Sequence, residues 1–169
     1  MIREPRRRSS ATVRQLELRR HARRDPDADR LSAAGRAQAE DVGRATHSTY
    51  DVVFVSPAHR AAETAAWFLR GAGQQLPDHE VVPGLGGQDS TGGSAEGMAA
   101  GVRALLARVP DGGRGLAISH TPLVERAVLG LTGDTVEPFS ECEGVVVSVD
   151  AEGSIDIEEL RLDGGSTPA

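Results

Sequence analysis

The sequence predicts an α/β fold: a three-layer αβα sandwich around a mostly parallel sheet of roughly six strands. Short apolar runs alternate four times along the chain with longer stretches of helical periodicity. Two further apolar runs close the chain with no helix between them. Strands that alternate with helices form a parallel sheet with helices on both faces, and 169 residues suit a single domain.

The first strand is predicted over residues 13–20, where Leu16 and Leu18 lie on one face. A helix follows over residues 33–46, with Ser32 as its N-cap because a serine oxygen can accept from free N–H groups of the first turn. The run DVVFVS at residues 51–56 is short, apolar and β-branched, which is typical of a buried parallel strand.

An alanine-rich helix is predicted over residues 58–70, closed by a glycine at position 71. Residues 79–82 predict a weak third strand. Residues 85–93 contain four glycines and predict a loop. The next helix is predicted over residues 94–109, whose apolar residues recur at helical spacing.

The fourth strand is predicted over residues 115–119, with the sequence GLAIS. A helix over residues 122–131 begins with proline, which suits the first helical turn. Residues 145–149 and 155–160 predict two closing strands around a turn near Gly153.

Composition excludes several classes of protein. Hydrophobic residues are 38%, charged residues 26% and the mean hydropathy is -0.31, which is typical of a globular protein. No apolar run approaches the ~18 residues of a membrane span, and the N-terminus lacks the apolar segment of a secretory signal. Cys142 is the single cysteine, which excludes an internal disulfide and a cysteine-rich zinc site. A cytoplasmic protein with no membrane association is therefore expected.

Charge is distributed unevenly along the chain. The net charge is -6, yet residues 1–30 hold ten arginines against five acidic residues, and residues 134–169 hold ten acidic residues against one arginine. Net acidity disfavours nucleic-acid binding. The basic segment instead predicts a local positive field around an anionic ligand, with the acidic end placed away from it. Residues 1–12 and 163–169 are predicted to be a flexible leader and a flexible tail around one domain over residues 13–162.

The residues with chemical potential follow three of the predicted strands. Arg20 and His21 end the first strand, Ser56 and Arg60 follow the second, and His120 follows the fourth. Ligands of open parallel sheets bind beyond the carboxyl ends of the strands, so these side chains are expected to converge at one edge.

A phosphoryl group suits such a site. Arginine presents a planar fork of donors that matches phosphate oxygens, and the N-termini of two helices would add free N–H groups. A neutral imidazole is a nucleophile, and its attack on phosphorus would give a phosphohistidine.

Three motifs in this order resemble the histidine phosphatase superfamily, which also contains the cofactor-dependent phosphoglycerate mutases. The motifs read LELRRHA, SPAHRAAETA and ISHTPLVE, and the resemblance covers roughly residues 13–160. The segment DADRLSAAGRAQAE, at residues 27–40, is similar to the small phosphohistidine phosphatases of the SixA type.

The resemblance implies a phosphoglycerate mutase-like fold and a phosphatase that uses neither metal nor cofactor. It implies that His21 is the phosphorylated nucleophile and that Arg20, Arg60 and His120 complete the catalytic group and bind the phosphoryl oxygens. The neighbouring Ser56 and Thr121 complete the expected substrate-binding residues, which are Arg20, Arg60, His120, Ser56 and Thr121.

The sequence departs from the family pattern at two points. Ala22 stands where the family has glycine. Larger members carry an acidic proton donor, for which Asp89 and Glu96 are only weak candidates here, and Glu125 is expected to face away. A positioned acid is worth roughly 10²–10⁴-fold in rate, and an imidazole leaving group needs it less than an alkoxide. The preferred substrate is therefore a phosphohistidine protein.

Other readings of the sequence stay open. The alternatives are a small-molecule phosphomonoesterase and a catalytically weak phosphate-binding module. The oligomeric state is left open, with a monomer favoured. Asp29 and Arg30 are expected to order the loop after His21 as a pair at the rim. Arg19, Arg23, Arg24 and Arg30 are expected to make the mouth of the site positive.

Overall fold

The computed structural model describes residues 13–162 of the chain. The predicted leader (residues 1–12) and tail (residues 163–169) lie outside the described residues, so both stay predictions, as do the domain boundaries. No helix within the described range is both long enough and apolar enough to cross a membrane.

The strands and helices follow the predicted order. The strands are β1 (Arg14–Arg20), β2 (Val52–Val55), β3 (His79–Val81), β4 (Arg114–Ser119), β5 (Gly144–Val149) and β6 (Ile155–Leu160). The helices are α1 (Ala33–Ala45), α2 (His59–Gly71), α3 (Ala95–Leu106) and α4 (Leu123–Thr132).

The six strands form one sheet in the order β3-β2-β4-β1-β5-β6. The pairs β2–β3, β2–β4 and β1–β4 are parallel, whereas β5 runs antiparallel to both β1 and β6. The predicted α/β sandwich with a mostly parallel sheet is therefore confirmed. The consequence for function is that β2, β4 and β1 are neighbours, so their carboxyl ends meet at one edge.

Alternation along the strands divides the core into two layers. Phe54 of β2 faces the side covered by α3 and α4, while its neighbours Val53 and Val55 pack against α2. Leu16 and Leu18 lie on one face of β1, as predicted, and that face is the one covered by α3 and α4. These central strands carry apolar residues on both faces because helices cover both faces.

Most boundaries lie within one residue of the prediction, and two differ by more. Helix α3 ends at Leu106, not at residue 109, because Pro110 disfavours helical backbone in the residue before it and the chain turns first. The predicted loop over residues 85–93 begins inside a short 3₁₀ helix, Pro83–Gly86, which leads from β3 towards the site.

Candidate active site

The carboxyl ends of β1, β2 and β4 bring the predicted residues to one edge of the sheet. His21 follows β1, Ser56 follows β2, and His120 follows β4. Arg60 lies in the first turn of α2, which begins just beyond β2. The rings of His21 and His120 lie with their centroids 5.2 Å apart in an edge-to-face arrangement. The expected convergence is therefore present for these four residues.

His21 is held as a neutral imidazole with one nitrogen facing the site. Its side chain is buried, with 7% of the residue exposed, and Nδ1 lies 2.7 Å from the carbonyl oxygen of Ala22. A carbonyl only accepts, so Nδ1 carries the proton and Nε2 keeps its lone pair. Burial of the ring, with the positive charges of Arg60 and Arg20 nearby, lowers the pKa of His21.

His120 is also neutral at physiological pH. Burial of the ring, together with the neighbouring His21 and Arg60, lowers the pKa of His120 to about 4. Its Nδ1 lies 3.3 Å from Nη2 of Arg60, which can only donate. Nδ1 is therefore the acceptor, and Nε2 donates to Oγ of Ser56 at 2.6 Å.

Arg60 contacts both histidines of the site and a carboxylate. Its Nε lies 3.4 Å from Nε2 of His21, its Nη2 faces His120, and its Nη1 forms an ion pair with Asp29 at 2.9 Å. Asp29 also accepts from the backbone N–H groups of His59 at 2.9 Å and Arg60 at 3.3 Å. This carboxylate therefore caps α2, whose own N-cap Ala58 has no side chain that could do so.

Arg20 is turned towards a different segment. Its Nη1 donates to the carbonyl of Phe139 at 2.8 Å and lies 3.7 Å from a carboxylate oxygen of Glu141. Its Nε is buried and has no acceptor within residues 13–162. The structure thus does not bring Arg20 into hydrogen-bond contact with the other predicted site residues, and its unpartnered Nε is enclosed in the protein.

The alanine that replaces the family glycine is accommodated without strain. Ala22 is completely buried in a cluster with Leu31, Ala39 and Cys142. Its backbone φ is not positive, so an L side chain is tolerated, and its N–H donates to Thr64 Oγ1 at 3.0 Å. The methyl group therefore packs in the core.

An open cavity of about 510 Å³ lies over Arg60 and His120. Its wall includes Asp29, Gln88 and the predicted Thr121. The wall does not include His21, Arg20 or Ser56; His21 and Ser56 connect to it through their hydrogen bonds with Arg60 and His120.

The candidate proton donors lie apart from this cavity. Asp89 is exposed and accepts from Thr91, and these hydrogen bonds lower its pKa. Glu96 is exposed in the first turn of α3. Among residues 13–162, no group of three or more His, Cys, Asp or Glu side chains is placed to hold a metal ion.

Glu125 does not simply face away, contrary to the expectation. Its Oε2 accepts from the hydroxyl of Thr121 and from the N–H of Phe139 at 3.1 Å, and its Oε1 is buried with no partner within the described residues. It therefore connects the cavity wall at Thr121 to the segment that holds Arg20. Only its spacing of one helical turn from Thr121 could have indicated this.

The expected positive mouth is wrong for Arg19 and Arg30, whose charges are paired, whereas the charge of Arg24 adds to the burial of the ring in lowering the pKa of His21. Arg19 is buried, because it lies on the same face of β1 as Glu17 and pairs with that carboxylate at 2.5 Å. Arg30 pairs with Asp25 at 3.1 Å, so Asp29 and Arg30 are not a pair.

The acidic end of the chain is also nearer the site than expected. Glu141 lies 3.7 Å from Arg20 and 3.8 Å from Arg23. Each of the two arginines expected to bind phosphate thus has a carboxylate partner, Asp29 for Arg60 and Glu141 for Arg20.

A comparison with known families agrees with this geometry. The model of the histidine phosphatase superfamily (branch 1) matches residues 8–111, more than half of the chain. The chain belongs to the histidine phosphatase superfamily. It is a histidine-type phosphatase with the phosphoglycerate mutase-like fold that the motifs predicted. Thr64 and Ala65 complete the second motif, and both are buried where α2 packs on the sheet.

Solved structures give similar results. The protein histidine phosphatase SixA complexed with tungstate is 26% identical, with a TM-score of 0.69, over 87% of this chain and 96% of that one. A phosphoglycerate mutase from Bacillus anthracis is 17% identical with a TM-score of 0.67, over 89% of this chain and 94% of that one. A phosphoserine phosphatase from Entamoeba histolytica is 17% identical with a TM-score of 0.66, over 88% and 97%. No curated protein matched the chain.

Proposed function

We propose that the chain removes a phosphoryl group from a phosphohistidine protein through a phosphohistidine formed on His21. The observation that carries the proposal is the hydrogen bond from Nδ1 of His21 to the carbonyl of Ala22. This bond fixes the tautomer, so the lone pair of Nε2 points to the side where Arg60 lies. A nucleophile of this kind needs no base to activate it.

In the first step, Nε2 of His21 attacks phosphorus, and the bond from phosphorus to the leaving group breaks. Nε and Nη2 of Arg60 face the imidazoles of His21 and His120. When the phosphoryl group enters between the two rings, these nitrogens donate hydrogen bonds to its oxygens. The positive charge of Arg20, close enough to add to the burial that lowers the pKa of His21, helps to neutralise the phosphoryl group. Nε2–H of His120 keeps its hydrogen bond to Oγ of Ser56. Positioning and charge neutralisation of this kind are the main requirements of phosphoryl transfer.

In the second step, water attacks phosphorus of phospho-His21, the P–N bond breaks, and inorganic phosphate leaves. The departing imidazole of His21 returns to the neutral form, because its proton stays on Nδ1, hydrogen-bonded to the Ala22 carbonyl, while Nε2 regains its lone pair. The low pKa of His21 favours this neutral product.

The leaving group is inferred from the lack of a protonated acid among the described residues of the cavity wall. Asp29 is the acidic side chain of the cavity wall, and it is engaged by Arg60. Although its partial burial acts in the opposite direction, hydrogen bonds from His59 and Arg60 lower the pKa of Asp29, so it holds no proton to donate.

A phosphohistidine needs no such donor. When its second nitrogen is protonated, the substrate imidazole leaves as a neutral molecule, whereas an alkoxide must be protonated as it departs. Transfer from one imidazole to another is also chemically symmetrical. The similarity to SixA, a protein histidine phosphatase whose solved structure holds tungstate, supports the same choice.

The test compares phosphate release from a phosphohistidine protein, p-nitrophenyl phosphate and an alkyl phosphate by wild type and His21→Ala. Wild type is expected to act in that order of rate, with inhibition by vanadate, and His21→Ala to be inactive. His47→Ala is the matched control, because His47 is exposed. Equal rates for wild type and His21→Ala would contradict the mechanism. Faster turnover of the alkyl phosphate would instead indicate a small-molecule phosphomonoesterase, and phosphate binding without turnover a binding module. A cytoplasmic location, a monomeric state and activity without metal remain predictions.

A further inference from the structure

The cavity wall beyond Arg60 and His120 is almost free of charge. It consists of Pro57, Ala58, Gly86, Gln88, Thr121 and the start of α4 at Pro122 and Leu123. Two charged side chains complete it, Arg60 and Asp29. In the proposed reaction Arg60 is occupied by the phosphoryl group. The leaving group therefore meets neutral surface and one carboxylate.

We propose that Asp29 is a specificity-determining residue that disfavours substrates whose leaving group carries an anion and favours neutral or cationic leaving groups. This inference rests on the proposed function, because it concerns the part of the substrate that departs from phosphorus. It narrows the substrate class to phosphoryl groups carried on neutral or basic molecules, such as an imidazole within a neutral or basic protein surface.

The position of Asp29 is fixed by three hydrogen bonds. Oδ2 accepts from the N–H of His59, and Oδ1 accepts from the N–H and from Nη1 of Arg60. A carboxylate that caps a helix and holds an arginine cannot swing away when a substrate arrives. Its side chain is nevertheless 46% exposed, so part of its charge faces the cavity.

A second anion on the substrate has no partner in this wall. Among the described lining residues, Arg60 is the single cation, and it already contacts Asp29 and the phosphoryl position. Gln88 and Thr121 offer hydrogen bonds but no charge, and the hydroxyl of Thr121 donates to Glu125. A carboxylate or second phosphate on the leaving group would therefore find no cation to pair with and would be repelled by Asp29.

The size of the effect follows from Coulomb's law. Two like charges about 7 Å apart at an effective dielectric constant between 20 and 80 repel enough to change a rate about threefold to fiftyfold. The pairing of Asp29 with Arg60 and its exposure place the expected discrimination at the lower end, about threefold to tenfold at low salt.

The test uses aryl phosphates that differ only in the para substituent: a carboxylate, the isosteric carboxamide and an aminomethyl group. The quantity measured is the ratio of kcat/KM for carboxamide over carboxylate, in wild type and in Asp29→Asn. Asparagine keeps the shape and an Oδ1 that accepts from the N–H and Nη1 of Arg60, while its amide nitrogen replaces the oxygen that accepted from the N–H of His59. Comparing one ratio between two proteins cancels any difference in leaving-group acidity.

Asp27→Asn is the matched control. Asp27 is exposed in the same loop, two residues earlier, and is not part of the cavity wall, so the variant has the same change in net charge. We expect the ratio to fall about threefold to tenfold in Asp29→Asn and to stay unchanged in Asp27→Asn. The difference between the two substrates should also shrink in wild type when salt is raised from 0.05 to 0.5 M.

The proposal is overturned if Asp29→Asn lowers kcat/KM for all three substrates by the same factor, which would show that Asp29 only positions Arg60. It is equally overturned if Asp27→Asn changes the ratio as much. The matching aryl phosphonates, measured as ligands by calorimetry, give the same comparison for binding. If wild type releases phosphate neither from these phosphates nor from a phosphohistidine protein, the proposed function fails, while the affinities for the phosphonates still decide the role of Asp29.

Discussion

Replacing Arg60 separates a role in phosphoryl binding from a role in stability. The side chain points three donors in three directions, towards Asp29, His21 and His120. Hydrogen bonds to charged groups contribute about 1.5–3 kcal/mol each. Arg60→Ala removes the two donors that face the imidazoles and should therefore raise the activation free energy by about 3–6 kcal/mol. This corresponds to a decrease in kcat/KM of about 10²–10⁴-fold. Arg60→Lys should recover part of this loss, because an ammonium can reach one oxygen but cannot present the planar fork.

The same change should affect folding little. The ion pair of Arg60 with Asp29 is half exposed on the aspartate side, and such pairs contribute about 0–1 kcal/mol. The backbone N–H of residue 60 continues to bind Asp29 in either variant, so the cap of α2 is kept. Urea denaturation should therefore show a free energy of unfolding within about 1 kcal/mol of wild type.

Arg44→Ala provides the control for charge. Arg44 is exposed on α1 and pairs with Glu40 and Asp41, so its removal changes the net charge equally and also breaks surface ion pairs. Its kcat/KM should match that of wild type. The reasoning is refuted if Arg60→Ala retains more than about a tenth of wild-type kcat/KM, or if it loses more than about 3 kcal/mol of stability, since unfolding would then explain the lost activity.

Three further predictions concern the surroundings of Arg60. The pKa of His120 is about 4 in the folded protein and near 6.5 in the unfolded chain, so the unfolded chain binds more protons between these values and stability falls as pH falls through this window. If the His120 ring were fully shielded, the free energy of unfolding would fall by about 2.5 kcal/mol between pH 7 and 4.5. Because the ring borders an open cavity, urea titrations should show a fall about 1–2 kcal/mol larger in wild type than in His120→Gln. An equal dependence on pH in the two proteins would exclude this assignment. Ser56→Ala removes the hydroxyl oxygen that accepts a hydrogen bond from Nε2 of His120 at 2.6 Å. The change should lower kcat/KM about tenfold in steady-state assays. An unchanged value would show that this hydrogen bond does not orient the ring. Glu125→Gln keeps an acceptor for Thr121 and Phe139 and replaces a charged, buried, unpaired oxygen by a neutral amide nitrogen, which costs less to bury. Its free energy of unfolding should therefore be close to that of wild type, while Glu125→Ala should lose about 1–2 kcal/mol. A Gln variant as unstable as the Ala variant would show that the charge itself is needed.

Local sequence signals were sufficient for the elements of the fold and for the central part of the site. The short, apolar runs of β2 and β4 are typical of buried strands, and each is followed by the polar residues that meet at the sheet edge. Because parallel neighbours end at the same edge, His21 and His120 come together once β1 and β4 are adjacent. Periodicity identifies strands but contains no information on their order, so the position of β1 between β4 and β5 could not be derived from it.

The errors concern partners of charged side chains. Arg19 was expected at the mouth of the site, although the alternation of Leu16 and Leu18 with Glu17 and Arg19 already places the two charges together on one face. No comparable signal exists for Asp29 and Arg60, which are 31 residues apart and meet only because the loop after β1 crosses the start of α2. Long-range ion pairs of this kind depend on loop paths, which local patterns do not encode.

The most direct test of the account is the identification of the covalent intermediate. Wild type, His21→Ala and His120→Ala are mixed with a phosphohistidine protein, quenched in alkaline denaturant, in which phosphohistidine survives, and analysed by mass spectrometry of intact protein and peptides. The account predicts one phosphoryl group on wild type, located on His21, and none on His21→Ala. Turnover of substrate without a phosphoryl group on wild type, or a phosphoryl group located on His120, would contradict it.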